Sequence, residues 1–397
     1  MKYEKSFFDV VPSRIGTACE KWDGLHEREG SHVLPMWVAD MDIRCAAEIT
    51  DALTARAVHG IYGYTENPQR AVEAMLDFFR RRHGISISSD QQTMIPCVVS
   101  GLHTAVRVLT KPGERIIVQT PVYGPFFSAV EENERTVVRN PLVRDANGCY
   151  TMDFDGLEAI CRNGAGLMLL CNPHNPTARL WTRDELTQLC KILHKYEIPL
   201  VSDEIHWDFA YDGKRTCSVL SLPQAQSVEA PVLGLVSASK TFNIAGLQQA
   251  ALLTYNPGLL KACEAEMRRC GVVQGNVFGM LATELAYREG EAWLEGLLSY
   301  LHEARTILQQ EVHSRLPKAV LSPVEATYLG WLDLRAYGFS TEELTRRTHR
   351  HGVAFTHGLF FDKEEGDGFL RINFACPHSQ LRFAMERLQA ALLSTED

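Results

Sequence analysis

A lysine placed directly after a buried apolar run is desolvated, and a desolvated lysine becomes a nucleophile and a base near neutral pH. Lys240 stands in that position, in Ser237-Ala238-Ser239-Lys240. Asp203, in Ser202-Asp203-Glu204-Ile205-His206, ends another apolar run, where a carboxylate is costly unless a cation such as a protonated ring nitrogen meets it. Asn175 lies in Asn172-Pro173-His174-Asn175-Pro176-Thr177, a loop stiffened by prolines, and could donate an amide hydrogen to a phenolate oxygen. Tyr123, in Thr120-Pro121-Val122-Tyr123-Gly124-Pro125, offers an aromatic face for stacking on a flat ring. Ser100-Gly101 opens an apolar-periodic helix whose free amides and dipole favour a phosphate. Singly, each has an ordinary alternative: a helix cap, a packed turn, a structural ion pair or a surface lysine.

The elements that must position these residues are short apolar runs alternating with helical patterns. Candidate strands are Thr93–Val99, Arg115–Gln119, Gly166–Cys171, Ile198–Ser202, Val232–Ser237 and Ala250–Tyr255. Most are near-continuous apolar runs, as strands buried on both faces should be, so the fold class is α/β with a mostly parallel central sheet. Ligands of such sheets bind beyond the carboxyl ends of the strands. Successive strand ends therefore bring a phosphate-binding helix start, a stacking ring, an amide, a carboxylate and a lysine to one edge. Together these complement a phosphorylated pyridine aldehyde.

The length of 397 residues predicts a large domain and a smaller one around a cleft. The pattern predicts an N-terminal segment (1–45) on the small domain, a large domain (46–290) and an α+β C-terminal domain (291–397). In the last, a long helix from Glu291 towards Leu316 precedes strands at Tyr328–Leu334 and Phe369–Phe374, with a Ser340/Glu343 capping box between them. A formal net charge of −9 excludes a nucleic-acid footprint, and Arg80-Arg81-Arg82-His83 reads as a solvated helix end. No apolar run approaches the ~18 residues of a membrane span, and the expected location is cytoplasmic. The eleven cysteines form no CxxC pair, so neither a disulfide framework nor a metal site is expected. Trp207 and most histidines read as structural.

The order Asn175-Pro176-Thr177, Ser202-Asp203-Glu204-Ile205-His206, Ser237-x-Ser239-Lys240 and Arg371 resembles fold-type I pyridoxal-phosphate (PLP) enzymes of the aminotransferase class I/II superfamily. Within it, Leu34-Pro35-Met36-Trp37-Val38-Ala39-Asp40-Met41-Asp42, Ser239-Lys240-Thr241-Phe242-Asn243-Ile244-Ala245-Gly246-Leu247 and Thr327-Tyr328-Leu329-Gly330-Trp331-Leu332-Asp333 are similar to the MalY/PatB group of cystathionine β-lyase-like C–S lyases. The resemblance implies that Lys240 binds the cofactor covalently, Asp203 pairs with its ring nitrogen, Asn175 bonds its ring oxygen and Tyr123 stacks on it. Ser100, Gly101, Ser237 and Ser239 then cradle the phosphate, and Arg371 grips the substrate carboxylate. Tyr64 reaches the phosphate of a neighbouring subunit, which implies a homodimer with shared sites, and a small sulfur-containing amino acid is the implied substrate.

Departures from the superfamily pattern are Ala178 where glycine is usual, Gln248 where many aminotransferases carry arginine, and His206, counted among the cofactor contacts, where they carry tyrosine. The last two point away from transamination and towards the lyases. The segment His357–Phe361 is a guess for the side-chain pocket. Trp37, Asp40 and Asp42 either close the mouth of the site or pack the N-terminal segment.

Overall fold

The computed structural model describes residues 3–10, 13–65, 69–272 and 275–394. Its central sheet has seven strands, β1 (Gln92–Ile95), β2 (Arg115–Val118), β3 (Thr136–Arg139), β4 (Leu167–Cys171), β5 (Leu200–Asp203), β6 (Val232–Val236) and β7 (Ala250–Leu253), in the order β1-β7-β6-β5-β4-β2-β3. The pairs from β6 through β3 are parallel, and β7 runs antiparallel to both neighbours. The expected mostly parallel α/β sheet is present. Along β4 the side chains alternate between two cores, Leu167, Leu169 and Cys171 on one face and Met168 and Leu170 on the other. Both faces are dry, which is why the strand reads as an unbroken apolar run.

Two sequence expectations shift. The strand predicted through Val99 stops at Ile95, because Pro96 cannot donate to a ladder and Cys97 caps a helix beginning at Val98. Edge strand β3 is absent from the predicted set: its residues are only half-buried, so Thr136-Val137-Val138-Arg139 carries no long apolar run.

A second sheet joins β8 (Val320–Leu321), β9 (Leu329–Asp333), β10 (Thr356–His357) and β11 (Phe369–Asn373) in the antiparallel order β8-β9-β11-β10. The long helix Glu291–Arg315 leads into it. At helix Thr341–Arg350 only half of the expected capping box forms: Ser340 accepts from the Glu343 amide, while the Glu343 carboxylate turns to Arg346 and Arg347. Leu34–Pro35 pairs with Val353–Ala354, and the chain then crosses towards the end of β6.

The basic run at the end of helix Gln69–His83 is a correction. Arg80 and Arg81 face solvent, but Arg82 and His83 turn inward and meet the buried carboxylate of Asp208. They lie one turn beyond the fully buried Phe78 and Phe79 and so share their face.

Candidate active site

The chain leaves β6 at Val236, and Ser237 caps the short helix Ala238–Thr241. The Ser237 hydroxyl accepts from the Ser239 amide (3.0 Å) and donates to the Gln249 carbonyl (2.7 Å). Ser237 thus caps the turn that carries Lys240. Ser239 is half-buried one turn position further on. Lys240 Nζ donates to the carbonyl of Ala39 at 2.7 Å. Burial pulls this amine down to about 8; Asp40 and Asp203 oppose the shift, and the positive charges of Arg371 and Lys21 reinforce it.

Asp203 closes β5 and is buried, accepting the amide of Ile205 at 3.1 Å. Burial raises its carboxyl to about 7. Its neighbour Glu204 locks the strand end from below, accepting from Ser202 (3.0 Å), Val219 (2.9 Å) and Asn172 (3.2 Å). Asp203 thus has a fixed backbone and a side chain with no cation in ion-pair contact among the described residues.

Arg371, on β11, is buried to 3% exposure without an acidic partner among the described residues. Its Nη1 donates to Asn175 Oδ1 (3.1 Å), and Nη2 donates to the Trp37 carbonyl (2.8 Å) and Thr356 Oγ1 (3.3 Å), while Nε has no partner. The guanidinium lies over the Phe361 ring at 4.8 Å, and burial lowers it to about 10. Tyr123 is largely covered beside it, its hydroxyl raised by burial and influenced by Arg371 and Asp203. His206 is buried with Nδ1 unpartnered, and burial plus the charges of Lys240 and Arg371 keep it neutral. Lys240, Asp203, Asn175, Tyr123, His206 and Arg371 therefore converge as expected.

The phosphate end differs from expectation. Helix Val98–Leu109 starts before Ser100, so the Gly101 amide is spent on the Cys97 carbonyl (3.2 Å) and the Ser100 hydroxyl donates to the same oxygen (2.7 Å). Gly101 is needed for packing, since a Cβ there would lie 2.7 Å from Ile95 Cδ1 and Leu235 Cδ2. The first-turn amides left over belong to Val98 and Val99, which residue type could not have revealed. Tyr64 projects from the surface at 91% exposure and joins none of these groups within its own chain. Gln248 faces solvent at φ +52°. Ala178 takes φ +57°, the left-handed region that glycine occupies more easily.

Backbone and distant side chains complete the cage unannounced by the sequence. The carbonyls of Trp37 and Ala39 meet the site residues Arg371 and Lys240: Ala39 also accepts from Tyr328 (2.9 Å), while Asn373 Nδ2 donates to Val38 and Asp40 (2.6 Å each). The side chains of this segment pack it: the buried Asp42 meets Lys21 at 2.9 Å and Arg14 at 2.8 Å, and Arg14 also holds Asp40. The side chains of Trp37, Asp40 and Asp42 thus pack the N-terminal segment. Asn243 staples the segment to the lysine turn, accepting from Met41 N (2.9 Å) and donating to the carbonyls of Met41 (3.0 Å) and Ile43 (2.7 Å). Asn243→Ala is expected to lower the unfolding free energy by about 2–4 kcal/mol, as three hydrogen bonds at about 1 kcal/mol each are lost. Urea denaturation of the PLP-free protein measures this.

A buried carboxylate without a cation, a buried guanidinium without an anion and a lysine of depressed basicity fit a ligand that brings a cationic ring nitrogen, a carboxylate and an aldehyde carbon. A family model described as aminotransferase class I and II matches residues 39–388, and the chain belongs to that family. Among solved structures, cystalysin from Treponema denticola, which contains a pyridoxal 5′-phosphate cofactor, aligns with a TM-score of 0.93 at 30% identity over 99% of each chain. Cystathionine beta-lyase PatB of Bacillus subtilis is 37% identical over 97% of this chain and 99% of its own, and Protein MalY of Escherichia coli is 32% identical over 94% and 95%. The likeness to the MalY/PatB group extends over nearly the whole chain.

Proposed function

We propose that this protein is a PLP-dependent carbon–sulfur β-lyase that converts cystathionine or related cysteine S-conjugates into pyruvate, ammonia and a thiol. The observation that carries this reading is the pair of oppositely charged, buried and unmatched groups, Asp203 and Arg371, flanking Lys240. The activities named for PatB and the cofactor named for cystalysin agree with it.

When bound, PLP supplies an electron-withdrawing ring that acidifies the Cα–H of an attached amino acid. Asp203, buried and without an ion-pair partner among the described residues, would hold a protonated ring nitrogen by its charge. Asn175 and Tyr123 would orient the ring, and His206, kept neutral, would add no charge there. Arg371 binds the α-carboxylate through its two terminal nitrogens. Lys240 would hold the cofactor, and its amine Nζ would serve as the base for the substrate Cα proton. The Cβ–S bond then breaks with its electron pair leaving on sulfur as a thiolate, and water hydrolyses the remaining unsaturated fragment to pyruvate and ammonia.

The deciding assay supplies cystathionine to the purified protein with and without a 2-oxoacid. Pyruvate and thiol formed without the acceptor support the lyase, whereas turnover that depends on the acceptor makes the protein an aminotransferase. Arg371→Lys is expected to lower kcat/KM about 10- to 100-fold, mostly through KM, because one charge-assisted bond of about 1.5–3 kcal/mol is lost.

The same reading includes a homodimer. Val58 (81% exposed) in the last turn of helix Ala47–His59, with Ile61 (68%), Tyr62 and Tyr64 just beyond it, forms a run of uncovered apolar side chains suited to a second subunit. It also includes the division into 1–45, 46–290 and 291–397, supported by the two separate sheets, and a cytoplasmic location, supported by eleven free cysteines.

A further inference from the structure

Behind the lysine turn lies a buried charged cluster that the reaction itself does not use. Asp208 follows Asp203 on the same loop and its carboxylate is fully covered. One oxygen, Oδ1, accepts from Arg82 Nε (2.9 Å) and His83 Nε2 (3.1 Å). The other, Oδ2, accepts from the hydroxyl of Thr241 (2.7 Å), the residue next to Lys240. The His83 ring is stacked on Trp207 (3.8 Å, 13°), and Arg82 reaches on to Glu295 of the long helix (2.6 Å). Phe242, the next residue after Thr241, packs edge-on against Phe78 of the helix that supplies Arg82 and His83.

We propose that Asp208 is a positioning residue: through Thr241 it anchors the turn carrying Lys240 to the loop carrying Asp203 and to the end of helix Gln69–His83. The proposal rests on the lyase reading only for its consequence. Lys240 must swing between holding the cofactor and reaching a substrate proton, which requires a backbone that stays still while the side chain moves. The short helix Ala238–Thr241 has too few hydrogen bonds to be rigid alone. A charged acceptor on the neighbouring side chain makes up the deficit, since hydrogen bonds to ionised groups are about twice as strong as neutral ones. Asp208 can stay ionised in the core because Arg82 and His83 offset its burial.

Thr241→Val removes only the hydroxyl and leaves the charged groups around Lys240, namely Asp40, Arg371, Asp203 and Lys21, in place. In the PLP-free protein, the expected results are at least tenfold faster amide exchange at 241–243 and an upward move of about one pH unit in the midpoint for acetylation of Lys240, as its amine gains water. Thr241→Ser, which restores the hydroxyl, is expected to keep both values at wild type. In the PLP-loaded protein, Thr241→Val should lower kcat about tenfold with KM within twofold. Unchanged exchange and midpoint in Thr241→Val, or equal shifts in the valine and serine variants, overturn the proposal. Should Thr241→Val not fold, Asp208→Asn carries the test on the same readouts, with shifts in the same direction expected. A protein that shows these shifts but cleaves no cysteine conjugate refutes the lyase reading and leaves the anchor standing.

Discussion

Lys240→Ala is expected to lower turnover of cysteine conjugates by a factor on the order of 10⁴ or more, because the proposed function makes one atom both the covalent holder of the cofactor and the proton acceptor. The variant should also lose the peptide labelled by borohydride reduction, located by mass spectrometry. Residual turnover within a hundredfold of wild type would remove Lys240 from the chemistry. A stability effect of opposite sign accompanies the loss. The amine is held near 8 in the folded chain against an ordinary value of 10.5, so between those values the unfolded chain binds more protons and the native protein gains stability as pH rises. At pH 7, below both values, the buried ammonium is a burden that alanine removes. The PLP-free variant is therefore expected to resist urea better than wild type at pH 7, with the advantage shrinking towards pH 10.

Asp203→Asn is expected to reduce kcat by about 10²–10³, the equivalent of the roughly 3–5 kcal/mol associated with breaking a buried charge pair. Its stability signature runs the other way along the pH axis. The carboxyl has an ordinary value of 3.8 and a folded value of about 7, so the folded chain binds more protons in that interval and stability falls as pH rises through it. Asparagine suffers no such loss. In the PLP-free state the variant should be more stable than wild type at pH 8 by a few kcal/mol, and the gap should close as pH falls towards 4. Loading with PLP should narrow the pH 8 gap, since a cation then faces the carboxylate. A PLP-free variant less stable than wild type at pH 8 would mean that Asp203 already has a partner.

The two substitutions illustrate one condition: the groups proposed for the chemistry are those the fold holds at a cost. Arg371 obeys it as well, buried with its charge facing a carbonyl, a hydroxyl, an amide oxygen and an aromatic ring. Asp208 does not, for its charge is matched inside the protein. That contrast separates a residue waiting for a ligand from one that supports the scaffold.

Apolar runs such as Leu167–Cys171 made the buried strands legible, and their carboxyl ends marked where Lys240, Asp203 and Asn175 meet, because strand direction and loop position follow from local pattern. Sequence alone therefore determined the α/β class and the sheet edge at which Lys240, Asp203 and Asn175 meet. Only the tertiary structure decided which atoms remain free. It spent the Ser237 hydroxyl on Gln249 and the Gly101 amide on Cys97, and it turned the carbonyls of 37–40 towards Lys240, Arg371 and Asn373. It also drew Arg82 and His83 inward to Asp208, 125 or more residues away along the chain. The physical reason is that every residue carries the same backbone donors and acceptors, and a side chain's availability depends on partners that only folding brings within 3 Å or so.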